Sequence, residues 1–181
     1  NLYIYDNDGH GKSLVAKMGM GFNMGNSLDA ATDGKCNEGL ASETSWGNPF
    51  ITQDMIKNIK NKGFKSIRLP TSWHNHIIDN NYTIDPNWTK RVKQIVDWCI
   101  DAGLYVILNT HHDNAPSDWI SYGAGYYPSQ ASKAESLKFL VNVWSQITLA
   151  FNNGYGEQLI FEALNEPRMR GTDCEWWTEG G

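Results

Sequence analysis

The 181-residue chain lacks several features that would each assign it to a broad class of protein. It has no run rich in Lys and Arg and its net charge is −5, which argues against nucleic acid as a partner. No apolar run approaches the roughly 18 residues of a membrane-spanning helix, so we expect no membrane partner either. Hydrophobic residues make up 40% of the chain, which is typical of a globular domain with its own core.

Cysteine is scarce, and the count of three is odd, so at least one cysteine has no partner within the chain. Cys99 lies in an apolar helical pattern, and we predict that it is a small buried hydrophobic residue. Cys36 and Cys174 both fall in predicted loops, and their pairing is a hypothesis. Because the chain begins at Asn1 without a Met, as a processed product would, we expect a secreted protein.

Motifs for metals and dinucleotides are also missing. The histidines show no H-E-x-x-H and no zinc spacing. His111 and His112 are adjacent, and neighbouring side chains of an extended chain point to opposite sides, so we do not expect both to bind one metal. Gly19, Gly21 and Gly25 lack the G-x-G-x-x-G spacing of a dinucleotide site. We therefore expect no metal and no cofactor.

Four apolar runs alternate with amphipathic segments along the chain. The spacing predicts strands at Met18–Met24, Phe64–Leu69, Leu104–Asn109 and Leu159–Leu164, and helices at Thr52–Asn61, Pro86–Ala102 and Ala131–Phe151. Thr52 is the predicted N-cap of the first of these helices, and the nearly continuous apolar run of the third strand predicts burial on both faces. The apolar face predicted for the second helix consists of Val92, Ile95, Val96 and Cys99. The apolar residues predicted for the third are Leu137, Leu140, Val141, Trp144, Ile147 and Leu149. This rhythm indicates right-handed βαβ units and a parallel sheet, either an open doubly wound sheet or a (β/α)8 barrel.

Polar residues follow every predicted strand, as in the loops that build the active site of a barrel. They are Asn26, Arg68, His111 with His112, and Asn165 with Glu166. Four strand–helix units are about half of a barrel of roughly 250 residues. We therefore predict an α/β chain whose residues 1–181 form the N-terminal portion, strands 1–4, of a single (β/α)8 domain. Because a half-barrel leaves open edges, we expect the C-terminal half of the same barrel as its partner.

Glu166 is the candidate for catalysis. A glycosidase needs a carboxyl group that gives a proton to the leaving oxygen and later takes one from water. The strand end places Glu166 on a rigid support, and Asn165 can hydrogen-bond a sugar hydroxyl beside the scissile bond. A structural turn carrying an exposed acid is the alternative. Arg68 has two interpretations as well, a cation that keeps a second carboxylate ionised or a structural salt bridge.

The predicted loops are rich in aromatic rings on which the apolar face of a sugar can lie. They include Trp46, Trp73, Trp119, Tyr122, Tyr126, Tyr127, Trp176 and Trp177. Several aromatic rings in strand-to-helix loops suggest an open cleft for a polymer, and loop packing is the alternative for each of them. One of His111 and His112 is predicted to bind a sugar or a carboxylate.

Taken together, these segments resemble glycoside hydrolase family five, in the clan of retaining (β/α)8 glycosidases. The matching segments are Gly25–Ala30, Glu43–Pro49, Ile67–Trp73, Leu108–Asp113 and Phe161–Arg168. The set looks most like the endoglucanase subfamily that cuts cellulose, mixed-linkage β-glucan and xyloglucan. The resemblance implies Glu166 as acid/base, Asn165, Arg68 and His111 or His112 as inner-cleft residues, Asn26 at a sugar site, and Trp46 or Trp119 as stacking platforms.

The family's nucleophile is a second Glu on the seventh strand, which this sequence does not contain. Glu162 is predicted to lie several residues down its strand, toward the wrong end, and so cannot replace it. The resemblance therefore implies a retaining endo-β-1,4-glucanase whose nucleophile lies outside this chain. A mannanase or xylanase of the same clan and a non-catalytic glucan-binding barrel fragment are the alternatives.

Overall fold

The computed structural model describes residues 9–32, 35–114, 121–173 and 175–176. Strands and helices alternate through them: α1 His10–Met18, β1 Gly21–Asn23, α2 Gln53–Asn61, β2 Ser66–Leu69, α3 Pro86–Asp101, β3 Tyr105–Asn109, α4 Lys133–Phe151 and β4 Leu159–Glu162. Short 3₁₀ helices at Gly39–Thr44, His74–His76, Ser121–Gly123 and Gly156–Gln158 lie in the connections. No helix of this described part is long and apolar enough to cross a bilayer.

The four strands form one parallel sheet in the order β1-β2-β3-β4. A doubly wound sheet reverses its strand order at a switch point, whereas a barrel adds each strand beside the last. The order therefore confirms the prediction of the first half of a (β/α)8 barrel. The register sets Arg68 opposite Ile107 and Asn109 opposite Glu162, so alternate residues of neighbouring strands share one face.

The first predicted strand was too long, and a helix before it was missed. Met18 ends α1, and β1 is only Gly21–Asn23. Between them Gly19 has φ 49° and ends the helix in the left-handed region that glycine tolerates. The apolar residues that looked like one strand are thus split between a helix end and a strand. α1 buries none of its side chains, which explains why its hydrophobic pattern was weak.

The helices α2 and α3 agree with the predictions. The Thr52 Oγ1 accepts a hydrogen bond from the backbone N–H of Met55 at 3.2 Å, which is the predicted N-cap. α3 buries the predicted face, consisting of Val92, Ile95, Val96 and Cys99, together with Trp88. Cys99 is fully buried, and burial raises the pKa of its thiol to about 12, as expected of a hydrophobic role.

Two packing predictions need correction. α4 buries Phe139, Val143, Ile147 and Phe151, spaced four apart, while the predicted apolar residues Leu137, Val141 and Leu149 are exposed. β3 is buried chiefly on the helix side, where Val106 and Leu108 are inaccessible, whereas Tyr105 and Ile107 on the other face are half-buried. On α4 these apolar side chains are left exposed by the described residues, and on β3 they are covered only in part.

Candidate active site

The parallel sheet gathers the predicted site residues at one edge, because all carboxyl ends of its strands point the same way. Backbone hydrogen bonds tie the segments after the strands to each other: Met24 N–H donates to Arg68 O at 2.9 Å, and His111 N–H donates to Thr71 O at 2.9 Å. Asn165 N–H donates to Thr110 O at 3.0 Å. The site is therefore supported by main-chain pairing that continues past the strands.

Arg68 lies at the centre of this edge. Its Nε and Nη2 donate to the two carboxylate oxygens of Glu162 at 2.7 and 2.5 Å, and Nη2 also donates to Asn165 Oδ1 at 2.9 Å. The fourth bond, from Nη1, goes to Asn23 Oδ1 at 3.1 Å. Hydrogen bonding to Arg68 holds the pKa of the Glu162 carboxyl below its usual range, and the same bond raises the pKa of Arg68.

This pairing corrects the expectation for Glu162. The sequence predicted that Glu162 lies toward the wrong end of the fourth strand, but β4 ends at Glu162. Besides binding Arg68, its Oε1 accepts a hydrogen bond from Asn109 Nδ2 at 3.1 Å. The strand is two residues shorter than predicted, so Glu162 lies at its carboxyl end. Among the described residues, Arg68 therefore forms the salt bridge that one interpretation of it required, and Glu162 is its partner. The same arginine also contacts Asn165.

Glu166 follows on a turn with an unusual backbone. Its φ is 43°, a region that residues other than glycine rarely adopt. Asn114 holds this turn by donating from Nδ2 to the carbonyls of Glu166 at 3.1 Å and Arg168 at 2.9 Å. The Glu166 side chain is 56% exposed, and its Oε2 accepts from Arg168 Nη1 at 2.9 Å. The turn therefore projects a carboxylate outward while its backbone is fixed.

The two adjacent histidines do not diverge as predicted. Their rings meet edge to face with centroids 4.5 Å apart, and both approach the buried Asp29. His112 Nε2 lies 3.4 Å from Asp29 Oδ2, and His111 Nε2 lies 4.0 Å from the same atom. Because the strand has ended at Asn109, the alternation of an extended chain no longer governs these side chains. Asp29, His111 and His112 thus form a cluster in the described part with ligand atoms within 4.8 Å of one another.

The loop after β1 brings two of the matching sequence segments together. Asn48 Nδ2 donates to Gly25 O at 3.1 Å and to Ser27 Oγ at 3.3 Å. Asn26, between these partners, is exposed with φ 61°. It is therefore presented to solvent, and its role at a sugar site stays a prediction.

Aromatic side chains divide between surface and core. Trp46 is 44% exposed, and its Nε1 donates to Ala31 O at 2.9 Å, which leaves the ring fixed and accessible 5.4 Å from that of His112. Tyr122 and Trp176 are exposed as well, whereas Trp73 and Tyr126 are buried and belong to the core. The predicted stacking residue Trp119, and Trp177, lie outside the described residues.

Cys36 donates from its thiol to the carbonyls of His74 at 3.3 Å and Ser121 at 3.0 Å, and burial raises its pKa to about 11. Cys174, its hypothetical partner, lies outside the described residues.

Sequence reasoning gave no role to three polar residues that support the site, Asp29, Asn109 and Asp113, and it misplaced a fourth, Glu162. Asp113 Oδ1 accepts from the backbone N–H groups of Trp73 and His74 at 2.8 and 2.7 Å, and from His74 Nδ1 at 2.9 Å. Position gave a usable signal for Asn109 alone, because it is the polar residue that ends an apolar run. Asp29 and Asp113 come four or five residues after a predicted strand, and Glu162 lies inside the predicted fourth strand, so no local pattern marked them.

The fold and these polar strand ends define half of a (β/α)8 barrel of the glycosidase class. A family model described as cellulase (glycosyl hydrolase family 5) matches residues 29–180, and the chain belongs to that family. Endoglucanase B of Ruminococcus albus is 48% identical over 167 residues, which cover 91% of this chain and 37% of that protein.

Solved structures agree. A GH5-4 broad specificity endoglucanase from Clostridium longisporum superposes with a TM-score of 0.81 at 43% identity, covering 91% of this chain and 44% of that one. A mutant Glycoside Hydrolase 5 lichenase from Caldicellulosiruptor sp. F32, in complex with cellotetraose, superposes with a TM-score of 0.83 at 40% identity, covering 91% of this chain and 42% of that one. The chain thus spans less than half the length of these relatives.

Proposed function

We propose that this chain is the N-terminal half of the barrel of a secreted, retaining endo-β-1,4-glucanase that hydrolyses β-glucans such as cellulose, mixed-linkage glucan or xyloglucan. The observation that carries the proposal is the fixed turn at the end of β4, which exposes the Glu166 carboxylate beside Asn165 and Arg68. The names of the relatives and the cellotetraose in one of them support a glucan substrate.

Glu166 is assigned the role of acid/base in a double displacement. As an acid it protonates the glycosidic oxygen while a nucleophilic carboxylate attacks the anomeric carbon, and as a base it then takes a proton from the water that hydrolyses the glycosyl-enzyme. The exposure of its carboxylate suits a group that must reach both the leaving oxygen and water.

The nucleophile is assigned to the C-terminal half of the barrel. In a retaining enzyme the two carboxyl groups lie about 5–5.5 Å apart on either side of the bond. Both carboxylate oxygens of Glu162 accept hydrogen bonds from the guanidinium of Arg68 on β2, so neither is free to attack a sugar. A second half of the barrel would also cover the exposed Leu137 and Val141 on α4.

Asn165 is assigned to substrate binding. Arg68 can only donate hydrogen bonds, so the atom of Asn165 that faces it at 2.9 Å is the oxygen. The amide hydrogens of Asn165 then point away from Arg68, where they can donate to a sugar hydroxyl. Asn26, Trp46, His111 and His112 are assigned to further sugar contacts, and Trp119 is retained as a proposed stacking residue.

The test is hydrolysis by the complete gene product and its Glu166→Gln variant. We expect reducing-sugar release from soluble β-glucan to fall by several orders of magnitude with the fold intact. Glu157→Gln is the matched control, because Glu157 precedes the opposite end of β4 and binds Lys17 at the surface. Near-normal activity of Glu166→Gln would make Glu166 a structural turn residue.

The same assay separates the alternative functions. Faster hydrolysis of mannan or xylan than of glucan would identify the same-clan alternatives, and binding without hydrolysis would identify a glucan-binding barrel.

A further inference from the structure

Asn109, the last residue of β3, has a hydrogen-bond partner for its side-chain oxygen and for both hydrogens of its side-chain nitrogen. Its Oδ1 accepts from the backbone N–H of Thr71 at 3.0 Å. Its Nδ2 lies 3.1 Å from Glu162 Oε1 and 3.0 Å from His111 Nδ1. The residue is completely buried, so water cannot replace any of these partners.

The chemistry of the partners fixes which way this amide faces. A backbone N–H can only donate, so the atom opposite Thr71 N must be the oxygen of Asn109. The Glu162 carboxylate, paired with Arg68, can only accept, so the atom opposite it must be the nitrogen. The reversed amide would set N–H against N–H and oxygen against oxygen at a buried site, which costs about 1–3 kcal/mol for each group left unsatisfied.

This orientation decides where His111 carries its proton. The amide N–H that faces Nδ1 is a donor, so Nδ1 must accept and cannot bear a hydrogen. A neutral imidazole has one N–H, which must then be on Nε2. Burial first, and the neighbouring His112 second, lower the pKa of His111 to about 4, which agrees with a neutral ring at ordinary pH.

We propose that Asn109 is a positioning residue that locks His111 in the tautomer with its proton on Nε2, so that the strand ends present an N–H donor there. The benefit of this donor rests on the proposed function, since it would hold a sugar hydroxyl oxygen. The tautomer itself follows from the hydrogen bonds and would exist in a protein with any activity.

The lock has a second consequence for the cluster of Asp29, His111 and His112. Its spacing would suit a transition metal if each residue offered a lone pair. A protonated Nε2 has none, and this leaves Asp29 and His112 as the available ligands. In this tautomer the cluster offers two ligands instead of three, so Asn109 weakens any metal site at the strand ends.

The decisive measurement uses the complete gene product labelled with ¹⁵N-histidine. Correlation of ring carbon-bound protons with ring nitrogens distinguishes a nitrogen bearing hydrogen from one with a lone pair, and His111→Gln identifies the signals of His111. We expect Nε2 to bear hydrogen and Nδ1 to carry the lone pair at neutral pH. Hydrogen on Nδ1 would overturn the proposal, and this result needs no variant of Asn109.

A variant tests whether Asn109 is the cause. Asn109→Asp, made in a Glu162→Gln background to avoid two facing carboxylates, would accept a hydrogen bond from His111 and move its proton to Nδ1. The freed Nε2 would complete a carboxylate–histidine–metal arrangement, whose outer carboxylate typically raises affinity by about 10–100-fold. We expect Zn²⁺ to bind about tenfold tighter or more than to Glu162→Gln alone, by titration calorimetry.

Asn142→Asp in the same Glu162→Gln background is the control, because Asn142 lies on α4, donates to Lys138 O and is away from His111. It should leave the His111 tautomer unchanged and add no Zn²⁺ affinity. A His111 signal that stays Nε2-protonated in the Asn109→Asp variant would show that another contact sets the tautomer. Glu166→Gln should remove hydrolysis while keeping this tautomer, so failure of the proposed function and failure of this inference give different results.

Discussion

Arg68 of β2 reaches across β3 to hold Glu162 of β4 with two hydrogen bonds of 2.7 and 2.5 Å. The pair joins strands that are not neighbours, and the same guanidinium contacts Asn165 at 2.9 Å. The planar fork of arginine matches a carboxylate at two points, which a lysine cannot do. The position of Asn165, which precedes Glu166, thus depends on the ion pair between Arg68 and Glu162.

The pH dependence of stability should report on this pair. Arg68 holds the folded-state pKa of Glu162 below its ordinary value, so the pair stabilises the fold above about pH 4.3 and is lost as the pH falls through the lowered pKa. We expect Glu162→Gln to lower the free energy of unfolding at pH 7 by about 1–3 kcal/mol, because Arg68 is left without its anion. Denaturant unfolding should show that the difference in free energy of unfolding between wild type and Glu162→Gln becomes smaller below about pH 4. A gap that widens in acid would contradict this assignment.

Replacing Arg68 by Lys should impair activity more than folding. A lysine can contact Glu162 but cannot hold Glu162 and Asn165 together in a fixed plane. Misplacing a substrate-positioning group by about 1 Å costs about 10²-fold in rate, so we expect kcat/KM to fall by about 10–100-fold. Arg91→Lys is the matched control, since Arg91 binds buried Glu43 at two points, 2.8 and 2.9 Å, and contacts none of the described strand-end residues. That control should lose stability and keep its kcat/KM.

The 181-residue chain produced alone should not hydrolyse glucan, because the proposed nucleophile is on another part of the barrel. Mixing it with a separately produced C-terminal half of a family member should restore reducing-sugar release if the two halves assemble. Turnover by the pure chain without that half would mean that a residue within it acts as nucleophile.

The core face of α4 can be tested by two truncations. Phe139→Ala removes a fully buried ring and should lower the free energy of unfolding by about 3–5 kcal/mol. Leu149→Ala, on the same helix but 84% exposed, should change it by no more than about 0.5 kcal/mol. Thermal or denaturant unfolding of the complete gene product would measure both. Equal losses for the two variants would show that Leu149 is covered in the assembled barrel.

The sequence by itself determined the alternation of strands and helices, because apolar periodicity and caps such as Thr52 act over a few residues. It also placed Asn26, Arg68, His111, His112, Asn165 and Glu166 at strand ends, since a strand that stops at a polar residue is visible in a local pattern. Even the parallel sheet followed, because short βαβ connections leave few other topologies.

Only the tertiary structure decided which polar groups meet. Arg68 and Glu162 are 94 residues apart in sequence. No local pattern shows that the guanidinium on β2 reaches past β3 to a carboxylate on β4. The convergence of His111 and His112 on Asp29 likewise depends on where β3 ends in space. The tautomer of His111 is further removed still, because it is set by a buried amide whose orientation depends on partners from two other strand ends. Hydrogen bonds require distances within a few tenths of an ångström, and those distances arise only when the strands have packed.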